Sequence, residues 1–420
     1  MAETLHTGTL RSSLEEELTS NCGKSAKMRN YKRDSTTTLS VVCAVIFVFT
    51  IFTYLYSFQG DILGMMQYAW SDHQTHYDRL TGGLIFTAIA CVISLLCALV
   101  TTLPERAKAF VYMPAMALCG MVTGGTVDDA GNVDISWGLV GFTALLLLLY
   151  PYMSKVLNGI SGMTRTARDG STHITTWWSN ILVMILLTVM MLSMGNTDRS
   201  LHTRLAVERL CHEGKYEEAL EYGIPKYDHD EALPMWRAYA LARLHGDKSA
   251  AMGERLFNYN IQNAQVSLLP AAGKEPHALL KDVYPVWQAI GFVPRKVNEA
   301  PEAYLSRELR RGTARTAARD YLLCTYLVRK DLPAFAERLV KYYDKETSLP
   351  QHYAEALLIC RADRNVAETE GLDSLKVNDA VKADYHDFLS LLREKKPMKE
   401  KQADIRDNYF GTYWYYYYRR

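Results

Sequence analysis

The stretch Ser71-Asp72-His73-Gln74-Thr75-His76-Tyr77-Asp78-Arg79 gathers residue types that could bind a metal or serve an enzyme. If it is helical, His73 and His76 share a face and Asp72 lies one turn from His76, a partial ligand set for zinc. One short helix aims three or four ligands poorly, so the remaining ligands would have to come from elsewhere. The bland alternative is a polar loop at a membrane surface, and no metal or other cofactor is expected. Asp61 precedes the stretch, so Asp61, Asp72 and Asp78 are the acids an enzyme working here would use. Asp128-Asp129-Ala130-Gly131-Asn132-Val133-Asp134 has the flavour of a hard-cation loop, but it is short, lacks a closing Glu and reads as a solvated turn.

These residues are positioned by an apolar half. Spanning a bilayer takes roughly 20 apolar residues as helix. Five segments meet this length: about 39–58, 83–103, 109–127, 135–153 and 178–195. None has Asp, Glu, Lys or Arg at its centre, which disfavours an ion-coupled transporter. Met184, Met190, Met191 and Met194 in the fifth segment read as packing residues. The first run starts late, after a polar, basic leader, and reads as a retained span rather than a cleaved signal.

Lys and Arg set the orientation. Arg11, Lys24, Lys27, Arg29, Lys32 and Arg33 precede the first span, whereas 59–82 holds only Arg79. Arg106 and Lys108 follow the second span. Asp128, Asp129 and Asp134, with no base, follow the third. Lys155, Arg165 and Arg168 follow the fourth. The alternation predicts a cytoplasmic N-terminus and puts residues 196–420 on the far side, the periplasm in a bacterium. The inference turns on an odd number of spans, and Pro114, Gly120, Gly124 and Gly125 make the third the weakest link.

After Asn196 the pattern becomes short amphipathic helices. Cys211-His212-Glu213-Gly214-Lys215-Tyr216-Glu217-Glu218-Ala219-Leu220 resembles the helix–turn–helix junction of tetratricopeptide repeats. Trp236 to Asp247 is similar, with Gly246 close to one repeat of about 34 residues after Gly214. Degenerate junctions follow at Arg329-Lys330-Asp331-Leu332 and Arg361-Ala362-Asp363-Arg364. Between 258 and 312 the period is lost, where Pro270, Pro276, Pro285, Pro294 and Pro301 interrupt helices. The resemblance implies an α-solenoid with a concave surface over 196–392; such domains usually bind proteins or peptides, with Trp236, Tyr239, Arg243, Tyr321 and Tyr326 as candidate contacts here, and the alternative is that the repeats merely pack on the anchor.

Residues 393–420 read as a charged linker or solvated helix end and an aromatic tail, Tyr409 to Arg420, in which Trp414 is a further candidate contact. Exposed, the tail would be a sticky patch. It has three possible homes: the solenoid, as a cap; the membrane interface; or a partner, as an added strand. Cys211, Cys324 and Cys360 read as buried free thiols, or as one disulfide and a thiol in an oxidising compartment.

Net charge is +1, with no bias toward nucleic acid. No nucleophile-elbow, phosphate-loop, dinucleotide or zincin motif occurs. The layout also resembles uncharacterised Bacteroides-type inner-membrane proteins of unknown function, which share Gln59-Gly60-Asp61 and Thr75-His76-Tyr77 after the first span. That resemblance supplies no activity.

The expected fold is all-α. A cytoplasmic leader (1–37) precedes a five-helix membrane domain (38–195), a periplasmic tetratricopeptide-like domain (196–392) and the tail (393–420). The expected function is a scaffold in a bacterial inner membrane, in contact with lipid and with a protein or peptide partner in the periplasm, without nucleic acid. The competing expectation is an enzyme acting on a lipid-linked or envelope substrate. It rests on likeness to polytopic glycosyltransferases, which keep paired acids in the first external loop.

Overall fold

A computed structural model describes residues 37–71, 75, 77–127, 133–164, 172–223, 230–244, 250–261, 268–269, 286, 300–312 and 317–419. Among the described residues the fold is all-α apart from two two-residue strands, β1 (Thr126–Val127) and β2 (Val133–Asp134). It forms two compact units. The first comprises 1–66, 76–126 and 133–197, and the second 67–75, 127–132 and 198–420.

The first unit is built on α1 (Thr37–Phe58), α2 (Gly60–Trp70), α3 (Arg79–Val100), α4 (Met113–Thr123), α5 (Trp137–Thr164) and α6 (Thr172–Met194). In α3 the sequence pattern has a clear physical meaning. Its buried positions are small: Gly83, Thr87, Ala90 and Ser94, about one turn apart. Its large apolar residues, including Leu84, Leu95, Leu96 and Leu99, point outward and are more than half exposed. Small residues inside and large ones outside is the inverse of a water-soluble helix and suits lipid as the solvent. Among the described residues, helices α1, α3, α5 and α6 contain four segments long and apolar enough to cross a membrane.

The expected third span takes a different form. Glu105–Tyr112 is a 3-10 turn with a non-helical residue at Ala107, and α4 follows with Pro114 at its start. At 1.5 Å per residue, the 11 residues of α4 cover about 16 Å, roughly half a hydrocarbon core. Side chains of α6 satisfy the backbone that the turn leaves open. Asn180 Oδ1 accepts from Ala109 N at 2.8 Å, its Nδ2 donates to Glu105 O at 2.8 Å, and Ser179 Oγ donates to Arg106 O at 2.6 Å. Further along, a Cβ at Gly120 would lie 2.8 Å from Met194 Cβ and 3.0 Å from Met191 O, so only glycine allows α4 to approach α6 this closely. The segment 105–123 therefore runs alongside α6 in the same direction.

The second unit is a succession of helices: α7 (Arg199–His212), α8 (Tyr216–Glu221), α9 (Leu233–Leu244), α10 (Ala251–Arg255), α11 (Pro301–Arg311), α12 (Ala317–Val328), α13 (Leu332–Tyr342), α14 (Gln351–Ala362), α15 (Asp379–Arg393), α16 (Met398–Tyr409) and α17 (Tyr413–Tyr418). From α11 onward each helix packs on the next. The turn after α7 follows the expected junction. Gly214 adopts φ +75° while Lys215 N donates to Leu210 O and Gly214 N to Cys211 O, the two bonds of a Schellman cap. Two features depart from an open solenoid. Helix α8 has only 6 residues, and α10 packs on both α12 and α14, closing the array across non-neighbouring helices. The Gly246 junction lies outside the described residues.

Cys211, Cys324 and Cys360 are all free and buried. Within the charged stretch after Arg393, Met398–Tyr409 is helical.

Candidate functional site

Of the first-loop candidates, Asp61 and Asp78 are described, whereas Asp72, His73 and His76 lie outside the described residues. Asp61 sits in the first turn of α2 and forms an ion pair with Arg79, the first residue of α3. Asp78 caps α3, its Oδ2 accepting from Thr81 N at 2.9 Å and from the Thr81 hydroxyl. Those bonds hold its carboxyl below the usual range. Both acids thus have structural work, Asp61 in an ion pair and Asp78 as a helix cap. Tyr77 packs its ring over Gly82 and against Gly64, and burial pushes its hydroxyl up to about 12. Two buried polar atoms here, Tyr77 Oη and Arg79 Nε, have no hydrogen-bond partner among the described residues.

Next to this pair, three chain segments are tied together by polar groups. Tyr54 Oη and Thr123 Oγ1 are 2.6 Å apart, Gln59 Nε2 donates to Asn196 O at 3.0 Å, and Asn196 N donates to Thr123 O at 3.0 Å. Gly195 lies against the Tyr54 hydroxyl so closely that no Cβ fits. The ends of α1, α4 and α6 are thereby fixed at one level. Among the described residues there is no group of three or more His, Cys, Asp or Glu side chains placed to hold a metal.

In the second unit the expected contact residues divide. Trp236, Tyr239, Tyr321 and Trp414 are buried, at 0%, 6%, 0% and 1% exposure, and build the core rather than present a surface. Aromatic side chains suit a binding surface and a core alike, and a closed bundle needs its largest side chains for packing. Arg243 is exposed and lies over the Tyr216 ring, and Tyr326 is half-buried.

The aromatic tail is part of this core. Trp414 Nε1 donates to Glu355 O at 3.0 Å, Tyr413 N to Glu355 Oε2 at 2.6 Å, and the Tyr413 hydroxyl to Leu327 O at 3.2 Å. Glu355 is 1% exposed and also faces His352 Nδ1 at 3.0 Å. His352 Nε2 accepts from Phe257 N at 3.2 Å, so the ring proton sits on Nδ1 and points at Glu355. Phe257 meets Tyr413 and Tyr416 edge-on or tilted, with ring centroids 5.0 and 5.1 Å away. Lys330 Nζ closes the far end, donating to Tyr417 O at 2.9 Å and Arg419 O at 3.0 Å. None of Glu355, His352 and Lys330 was picked out from sequence as a functional candidate. The available signal was His352-x-x-Glu355, a polar pair at helical spacing among apolar neighbours.

Two further features have chemical character. Asp320 on α12 is buried, and burial pushes its carboxyl up to about 7 although the Tyr353 hydroxyl donates to it at 3.1 Å. On the outside, Arg338, Arg319 and Arg310 stand on three successive helices around Tyr342. Burial raises the Tyr342 hydroxyl pKa, and the three guanidinium groups oppose that rise. Arg310 and the neighbouring Lys341 are exposed, and Glu337 is the acid beside Arg338, at 3.7 Å.

Residues 295–420 match the model of a family of unknown function, DUF6057. The match covers α11 through α17 and therefore includes the docked tail. No curated protein and no solved structure matches the chain.

Proposed function

We propose that the chain is a membrane-anchored adaptor whose second unit recruits a protein or peptide on the far side of a bacterial inner membrane, the periplasm. The observation that carries this reading is the basic face made by Arg310, Arg319 and Arg338 on the consecutive helices α11, α12 and α13. Guanidinium groups on a rigid helical array recognise carboxylates with defined geometry, so the partner is an acidic segment. The tetratricopeptide likeness supports the same reading: nearest-neighbour helix packing from α11 to α16 and the Schellman turn at Gly214 are shared with such repeats.

Far-side placement rests on five crossings. Four are the long apolar helices. The fifth is the segment 105–123, whose same-direction course beside α6 fits an odd number of crossings, and whose open backbone is satisfied by Asn180 and Ser179 as a membrane interior requires. The enzyme reading has less support, since Asp61 is paired with Arg79 and Asp78 caps a helix.

The test is site-specific photo-crosslinking in intact cells, with the reactive group at Lys341 on the basic face or at Lys382 on α15. A discrete adduct from position 341, absent from 382 and lost in the Arg310→Gln/Arg319→Gln/Arg338→Gln variant, is expected. An adduct that survives the triple change would remove the basic face from the interaction. Reporter fusions after residue 419 test the far-side placement independently.

A further inference from the structure

Tyr385 on α15 and Tyr418 on α17 bring their hydroxyls together at the edge of the docked tail. The two oxygens are 3.5 Å apart, a long hydrogen bond across 33 positions of sequence. Tyr385 is 8% exposed, whereas Tyr418 is 41% exposed. The rings are held by buried neighbours: Phe388 meets Tyr418 with centroids 5.6 Å apart, and Trp414 meets Tyr385 at 5.2 Å. A phenol that small solutes reach is thus fixed against one that they do not.

A phenol that loses one electron and its hydroxyl proton becomes a phenoxyl radical, with the unpaired electron shared between the oxygen and the ortho ring carbons. Two such radicals held side by side couple readily, because proximity makes the encounter intramolecular. Exposed thiolates would intercept an oxidant, but Cys211, Cys324 and Cys360 are all buried. We infer that Tyr385 and Tyr418 are an oxidative modification site, at which one-electron oxidation joins the two rings as dityrosine and fastens the tail to α15. The oxidant is hydrogen peroxide activated by a haem peroxidase. The first oxidising equivalent takes an electron from Tyr418, whose proton leaves to water. A hydrogen atom then passes from the Tyr385 hydroxyl to the Tyr418 oxygen along their contact, and a second equivalent oxidises Tyr418 again. The two radicals form one carbon–carbon bond between ortho positions, and the hydrogens on those carbons move to the oxygens, restoring both phenols. Two electrons and two protons have left, and one peroxide has become two waters. The product closes a loop of 33 residues and, like a disulfide, constrains the unfolded chain.

The full chain is purified in detergent, diluted until no cross-link between chains forms, and treated with photogenerated tris(bipyridyl)ruthenium(III), a small one-electron oxidant. Digestion should yield a joined peptide pair containing Tyr385 and Tyr418, lighter by two hydrogens than its separate halves and with the blue fluorescence of dityrosine. Cleavage after the exposed Lys399 followed by denaturation should release the tail from the untreated chain and not from the joined one. Tyr385→Phe and Tyr418→Phe should each abolish the pair, whereas Tyr222→Phe, which removes a tyrosine that is 44% exposed and outside the contact, should leave its yield unchanged. The wild type oxidised in guanidinium chloride serves if circular dichroism shows the variants misfolded, and it should lose the preference for this pair. A folded wild type in which Tyr222 is oxidised but no 385–418 pair forms would overturn the site, as would equal yields from folded and unfolded chains. Haem peroxidase with hydrogen peroxide should give the same pair, and its failure where ruthenium succeeds would overturn the assigned oxidant.

Discussion

Gly214 and Lys330 hold the same position in two copies of one turn. After α7 the caps are Gly214 N to Cys211 O and Lys215 N to Leu210 O, and after α12 they are Lys330 N to Leu327 O and Asp331 N to Tyr326 O. Both residues are left-handed, at φ +75° and +58°, and Lys330 is the one non-glycine with positive φ among the described residues. A β-carbon in that region costs roughly 1–2 kcal/mol, and Lys330 offsets it by holding the carbonyls of Tyr417 and Arg419.

That balance makes a prediction for substitutions at this turn. Lys330→Ala keeps the strain and loses both bonds, so it should destabilise the second unit by about 1–3 kcal/mol. Lys330→Gly loses the bonds but relieves the strain, and should be the milder change by about 1 kcal/mol. Denaturant unfolding of the two variants in detergent checks the order. Equal stability would show that the backbone at 330 is not strained.

Glu355 is the anchor of the tail, so Glu355→Ala should be worse than an ordinary core truncation. It leaves Tyr413 N and His352 Nδ1 without acceptors in a dry site, an expected loss of about 3–5 kcal/mol. Removing the tail after Lys401 should go further, exposing Phe257 and Phe388 and abolishing cooperative unfolding. Near-ultraviolet circular dichroism, which reports the packed tyrosines and tryptophans, follows both. A truncated chain with a native-like spectrum would show that the tail is dispensable.

Asp320 ties stability to pH. Its folded pKa of about 7 lies above the 3.8 of a free carboxyl, so the folded state holds a proton that the unfolded state releases. Its contribution is intact below pH 3.8 and declines as pH rises through the window to about 7. At about 1.4 kcal/mol per pH unit the full decline is at most about 4 kcal/mol. Asp320→Asn keeps an acceptor for the Tyr353 hydroxyl and should become progressively more stable than the wild type between pH 4 and 7. A stability difference that stays flat across that window would place the ionised carboxylate comfortably in the core.

Gly120 tests the interrupted helix. Gly120→Leu forces a side chain against Met194 and the Met191 carbonyl and should separate α4 from α6, lowering the unfolding temperature in detergent. Gly141→Leu on α5, where a Cβ meets nothing within 4 Å, should be nearly silent. If the two variants melt alike, the close approach is not limiting.

Much of the fold was legible, for reasons visible in individual residues. Apolar runs such as 83–100 announce a lipid-facing helix because composition alone sets the preference for hydrocarbon. Gly214 announced its turn because few other residues adopt that conformation cheaply. The third span was harder to read: Pro114 and Gly120 showed an interruption, but not that Asn180, more than 70 positions later in the chain, would satisfy the open backbone. Among the candidate contacts, aromatic type could not separate surface from core. Trp236 and Trp414 look as suited to binding as to packing until the helices that cover them are known. The tail was decided by Glu355, His352 and Phe257, three residues that no local pattern links to Tyr413.

The docked tail also sets an order of events during synthesis. Arg419 meets Asn260 across 159 positions of sequence, and Tyr413, Trp414 and Tyr416 fill space bounded by helices made long before them. At about 5–20 residues per second the earlier helices wait on the order of ten seconds for their last packing layer. During that interval Phe257, Phe388 and the Glu355 carboxylate face water or a chaperone. The second unit therefore matures late and all at once, and a ribosome that stalls before codon 413 leaves behind an open, adhesive intermediate rather than a smaller folded domain.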